Sequence, residues 1–289
     1  MLLEVRDLGF EYAELGHGTR LSLLDGIQQA VKAGEIKISS LHNFCPLPVG
    51  VMGPAPDYYL PSTKDDRERA CAVRHTLRTL ECAASLGARA VVLHLGMVDM
   101  RNYTLRLLGL IEEGRQVEPK FERLRHKALA VRMKKRAKFL AQVYRTLDEV
   151  VPRAQELKLK LGIETRFGIE EIPDADEADE IITRYGAHVI NYWHDVGHAQ
   201  VKESIGLQTH EAWLERFRGR TAGFHLQDIA PPAHDHLPPG LGTFAFDRLA
   251  PFVTDEMVCA WEIHHEFGAD QIKEGVRRAH ELLRKAPPA

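Results

Sequence analysis

Six metal-capable side chains each close a short apolar run, at intervals close to the repeat of a β/α barrel. They are His42 after IKISSL, His94 after AVVL, Glu164 after LKLGI, Asp195 in INYWHD, His225 after TAGF and Glu262 after VCAW. The intervals are 52, 70, 31, 30 and 37 residues. A barrel of about 250 residues with eight βα units repeats roughly every 30, and its chemistry sits where the strands end. One long helical insertion and one helix preceded by a loop account for the two wide gaps. The pattern therefore predicts one metal site at the mouth of a single α/β barrel, a (β/α)8 TIM-type fold spanning residues 1–289.

The rest of the chain agrees with that class. Short apolar or β-branched runs at 10–16, 36–42, 88–96, 159–165, 188–195, 221–228 and 257–263 read as strands. Longer amphipathic segments near 23–33, 64–86, 122–157, 174–185, 207–219, 243–252 and 269–285 read as helices between them, the order that makes a parallel sheet. Ser62 and Thr63 are candidate caps for the second helix, with Asp65 and Asp66 in its first turn. Only seven strands are clear. An eighth lies in MLLEVRDL, or the first strand is irregular or missing.

Composition narrows the function classes. A net charge of −3 and a pI near 6.6 advertise no polyanionic partner. One local exception is residues 101–145, with thirteen Lys or Arg against four Glu. That stretch is either the solvated face of a long helix or a surface that attracts phosphate on a sugar or a nucleic acid. Cys45, Cys71, Cys82 and Cys259 form no paired framework, which fits a reducing cytoplasm. The chain has no apolar run of membrane-spanning length and no secretory leader pattern, so no membrane partner is expected.

Carboxylates at the ends of apolar strands are costly to desolvate without a partner. For Glu164 and Glu262 a divalent cation supplies that partner; the alternative is a pair of ion-paired structural glutamates. Asp195 and His198 form D-x-x-H on a strand-to-helix turn, a spacing that lets both face one cavity. His194, next along the strand, is expected on the other face. Asp228 is placed to orient a ligand from behind. In HDHLPPGLG, His234 and His236 share one side of an extended segment with Asp235 opposite, or the segment is a polar turn. His42 and His94 face the cavity or are buried against backbone, and His264 and His265 are less specific. His17, His75, His126, His210 and His280 are expected at the surface.

LHNFCP, VVLHLG, LGIET, HDVGH, FHLQD, HDHLPPGLG and WEI together resemble the xylose isomerase-like barrel superfamily, which includes sugar isomerases, ketose 3-epimerases and endonuclease IV. The resemblance implies one Mn, Mg, Co or Zn ion held by Glu164, Asp195, His225 and Glu262. It also implies that the two glutamates move a proton on a sugar or related polyhydroxylated carbonyl compound. His198, and with it His42, His94 and His236, would contact that substrate. The epimerase pattern has an arginine soon after the position of His225, where this chain reads QDIAPPAHDH. The endonuclease IV pattern implies up to three Zn ions and cleavage at abasic DNA. It matches at His42, His94, Glu164, Asp195, His198, His225, His236 and Glu262, but has aspartate where this chain has His234. A barrel that binds metal or sugar without turnover is a third reading, and a homo-oligomer is compatible with each.

Overall fold

The computed structural model describes residues 2–284. Residue 1 and residues 285–289 of the expected domain, with the end of its last expected helix, lie outside the described residues. Strands β1 (Tyr12–Leu15), β2 (Lys37–His42), β3 (Ala90–Leu93), β4 (Lys160–Glu164), β5 (Ile190–Asp195), β6 (Thr221–Leu226) and β9 (Val258–Trp261) form one seven-stranded sheet in chain order. The pairs from β1–β2 to β4–β5, and β6–β9, are parallel. A separate antiparallel hairpin, β7 (Asp228–Ala230) with β8 (His234–Leu237), lies in the Pro-rich segment after β6. Every expected strand is present, trimmed at its ends. The eighth strand is not in MLLEVRDL, which forms helix α1 (Leu2–Asp7) with no buried residue.

The helices between strands are α2 (Leu24–Lys32), α3 (Asp66–Ser85), α4 (Thr104–Glu112), α5 (Pro119–Glu156), α6 (Ala175–Tyr185), α7 (Val196–Ser204), α8 (His210–Arg216) and, after β9, α9 (Ala269–Arg284). The cap of α3 is Asp65, whose carboxylate accepts from the N–H groups of Arg67 and Glu68; Thr63 instead bonds Glu68. Two helices, α4 and α7, are not predicted by the sequence pattern. Helix α4 ends where Gly114 turns the backbone left-handed (φ 71°). Helix α7 starts directly at the end of β5, with no intervening loop. The expected helix at 243–252 is only a short 3-10 turn, Phe246–Leu249, ahead of Pro251, whose ring cannot continue a helix.

The described chain falls into two compact units. The first holds the chain up to Met97, Lys138–Glu164 and Asp176–Trp193. Its core is Leu41, Val91, Leu161, Ile163, Ile190 and Trp193 from the strands, with Leu80, Leu147 and Ile181 from the helices, none more than 1% exposed. β3 is buried along its whole length, as a parallel strand covered on both faces must be. Gly162 leaves room for Trp193: a Cβ there would lie 2.7 Å from the indole. The second unit holds Val98–Ala137, Thr165–Ala175 and the chain from His194, with Leu107, Phe217, Phe224, Leu226 and Leu249 at its centre.

Candidate metal centre

In the first unit, three expected residues meet at the ends of neighbouring strands. Glu164 is 1% exposed, and its Oε2 lies 3.3 Å from His42 Nε2 and 2.8 Å from His94 Nε2. The two imidazoles meet edge to face at 4.7 Å. The outer nitrogens define the chemistry. His42 Nδ1 is 3.0 Å from the Asn43 carbonyl, which can only accept, so Nδ1 carries the proton. In a neutral ring Nε2 then aims a lone pair at the Glu164 carboxylate. His94 stands between two carboxylates, with Nδ1 3.0 Å from Asp57 Oδ1. Lone pairs and carboxylate oxygens converging in a buried place call for positive charge, a proton or a cation. This donor set fits a divalent ion.

In the second unit, Asp195, His225 and Glu262 end β5, lie in β6 and follow β9. Their ligand atoms all lie within 4.8 Å of one another. His225 Nδ1 is 3.6 Å from Asp195 Oδ2 and 3.3 Å from Glu262 Oε2. Asp195 and His225 are fully buried, while the Glu262 side chain is 31% exposed. Here too a lone imidazole faces two carboxylates, so nitrogen and oxygen donors of the kind zinc and manganese accept are brought together.

Asp195 also caps α7. Its Oδ1 accepts from the His198 N–H at 2.7 Å, so D-x-x-H is a capped strand-to-helix turn, as its spacing predicts. His198 Nδ1 lies 2.9 Å from the Thr165 carbonyl, which fixes Nε2 as the unprotonated nitrogen of the neutral ring. Gln227 is not singled out by the sequence motifs, yet its Nε2 donates to both Asp195 oxygens, at 3.1 and 3.0 Å. Its Oε1 accepts from the His236 N–H. The alternation of a strand carries the signal, since position 227 shares a face with His225. Asp57 lies in a loop, where no periodicity marks it.

Other expectations are corrected. Asp228 does not orient a ligand: its carboxylate accepts from the N–H groups of Ile229, Gly240, Gly242 and Phe244 and so folds the loop behind β8. Asp235 is not opposite His236, because His236 adopts φ 57°, breaking the alternation, and Asp235 Oδ1 lies 2.9 Å from His236 Nδ1. His236 Nε2 is 3.6 Å from Glu262 Oε1. Burial disfavours charge on His236, but hydrogen bonding to Asp235 and Glu262 outweighs it and pushes the pKa up to about 10. His234 is exposed. His75 is buried, stacked on Tyr59. His17 is half-buried, with its ring 5.0 Å from that of His42. His280 is half-buried against Trp261, and only His126 of the five is fully exposed. His210 is fully buried with His194, their Nδ1 and Nε2 3.0 Å apart, and burial lowers its pKa to about 4.

A model of the xylose isomerase-like TIM barrel family matches residues 2–286. The chain belongs to this family. Solved structures agree with the family's fold. A 3-keto-D-glucoside 4-epimerase from E. coli is 14% identical with a TM-score of 0.66, covering 96% of this chain and 91% of its own. A D-psicose 3-epimerase with D-tagatose from Clostridium cellulolyticum is 11% identical, with a TM-score of 0.64 and coverage of 98% and 92%. A Thermus thermophilus protein soaked with zinc chloride is 19% identical, with a TM-score of 0.63 and coverage of 99% and 93%. No curated protein matches the sequence. Identities this low carry the fold and leave the activity to the residues of this family member.

Proposed function

We propose that this chain is a divalent-metal-dependent isomerase or epimerase of a sugar or related polyhydroxylated carbonyl compound. The observation that carries the reading is the meeting of Asp195, His225 and Glu262 at strand ends, with one carboxylate, Glu262, 31% exposed to solvent. Glu164, buried against two imidazoles, is the fourth ligand in this proposal. Sugar epimerases among the solved structures of the same fold support it.

An Mn, Mg, Co or Zn ion held by Glu164, Asp195, His225 and Glu262 would stabilise the negative charge of an enediolate. The chain's own residues do the proton transfer. One glutamate of the pair Glu164 and Glu262 takes the proton from the carbon beside the carbonyl, and the other returns it. Glu262 is the better placed base, because its side chain is the more accessible of the two. His198, its Nδ1–H donating to the Thr165 carbonyl, would accept a hydrogen bond from a substrate hydroxyl at Nε2. His42, His94 and His236 are the further substrate contacts in this reading. The same reading takes residues 1–289 as one domain acting in the cytoplasm.

The three-zinc reading depends on a ligand at position 234, and His234 is exposed and belongs to none of the candidate ligand groups among the described residues. The decisive experiment incubates manganese-loaded protein with ketoses, sugar acids and inositol-derived ketones in deuterated water. Deuterium appearing by NMR at the carbon next to a carbonyl supports the proposal. No incorporation on any of them, with zinc-dependent incision of abasic duplex DNA, would overturn it.

A further inference from the structure

Three side chains outside the ligand set described above meet in the segments that follow β6 and β9. Asp235 and His236 lie in β8, and His264 lies three residues beyond the end of β9. One ligand atom of each falls within 4.8 Å of the other two. The imidazoles of His236 and His264 meet edge to face at 4.9 Å.

The grouping is held in place by the backbone. A left-handed φ is uncommon for a residue with a Cβ and persists where surrounding bonds hold it. Here His236 N–H donates to Gln227 Oε1, and the His236 carbonyl accepts from His264 N–H at 3.0 Å. In a regular strand, neighbours point to opposite faces. The turn at His236 brings its ring onto the side of Asp235, and the bond to His264 sets the second imidazole beside it.

The charge in this group is balanced by a proton on His236 or, in its place, by a cation. The Asp235 and Glu262 carboxylates both reach His236, at 2.9 and 3.6 Å, so two negative groups surround one imidazole. The two oxygens of Glu262 face different ways, Oε2 toward His225 and Oε1 toward His236. Two imidazoles with one carboxylate form a mixed nitrogen and oxygen set suited to zinc. Neither Asp235 nor His264 belongs to the ligand patterns of the sugar epimerases or of endonuclease IV given above.

We infer that Asp235, His236 and His264 hold a second divalent cation, with the Glu262 carboxylate standing between it and the first. Only the first ion rests on the function proposed above; the second set stands on its own three residues. With this ion bound, His236 acts as its ligand and does not hold a substrate hydroxyl.

Titrating metal-free, full-length protein with zinc in a calorimeter tests the inference. The expected result is two classes of site in the wild type. His264→Ala, a change at an exposed position, should weaken one class about tenfold or more and leave the melting temperature unchanged. Asp235→Asn should weaken the same class. Glu164→Gln should abolish the other class and spare this one. A single class in the wild type, or two classes undiminished in His264→Ala, overturns the second site. Loss of one class in His264→Ala with no effect of Glu164→Gln leaves the second site standing and contradicts the first.

Discussion

Gln227 ties two parts of the centre together with one amide. Its N–H2 group faces both oxygens of Asp195, and its carbonyl receives the His236 N–H. Fully buried, it orients a carboxylate that the neighbouring His225 also faces. Glu262 contrasts with it, being the one carboxylate of its cluster that solvent reaches. Replacing Glu262 by Gln preserves size and one acceptor oxygen but removes the base. Turnover should fall by about 10²- to 10⁴-fold while circular dichroism and the melting temperature stay at wild-type values. Near-normal kcat in that variant would remove Glu262 from the mechanism. His210 carries a different prediction. Burial holds its pKa at about 4 in the folded protein, against an ordinary value of 6.5. Between those values the unfolded chain binds the extra proton, so folding stability is full above about pH 6.5 and falls as pH drops toward 4. The slope for this one histidine is about 1.4 kcal/mol per pH unit. Urea midpoints at pH 7.5 and 5 should therefore differ in the wild type, and less so in His210→Gln. Equal midpoints in the wild type would contradict the buried neutral histidine.

At the scale of elements, β4 shows what close packing demands. Gly162 faces Trp193 on β5 so closely that an added methyl group would press on the indole at 2.7 Å. Trp193 is fully buried, so a shift of the indole would have to be taken up by the surrounding core. Gly162→Ala should lower stability by about 1–3 kcal/mol, read as a drop in the urea midpoint at unchanged m-value. A midpoint at or above wild type would show that the tryptophan repacks without cost. The strands are legible in the sequence because buried parallel strands are short continuous apolar runs, and all seven stand where those runs predict. The metal-capable residues closing them are legible for the same reason. Helix α7 is not, since VGHAQVKES has no repeating apolar stripe; the capping carboxylate of Asp195 starts it. Helix α4 is missed too: the helix read from the sequence begins near 122, and Thr104–Glu112 is a separate short helix that ends at the left-handed Gly114. The site of Asp235, His236 and His264 is hidden by the φ of His236, which no alternation rule anticipates.

For the molecule as a whole, the basic stretch at 101–145 resolves into two helices. Arg115 pairs with Glu113 and Glu118, and Arg125 pairs with Glu122. Lys120, Arg123, Lys127 and Lys134 are exposed and recur at helical spacing along one side of α5. These four cations form an exposed basic row on a chain whose net charge is −3, the geometry of either surface named from the sequence, a solvated helix face or one that attracts phosphate. No described helix is long and apolar enough to cross a membrane. The proposed function requires that Glu164, Asp195, His225 and Glu262 hold one ion. A crystal structure of manganese-soaked protein with an anomalous difference map tests it most directly. The expected result is a strong peak about 2.0–2.6 Å from a ligand atom of each of the four residues. A peak held by other residues, or a Glu164 carboxylate more than about 8 Å from the ion, several times a coordination distance, would contradict it.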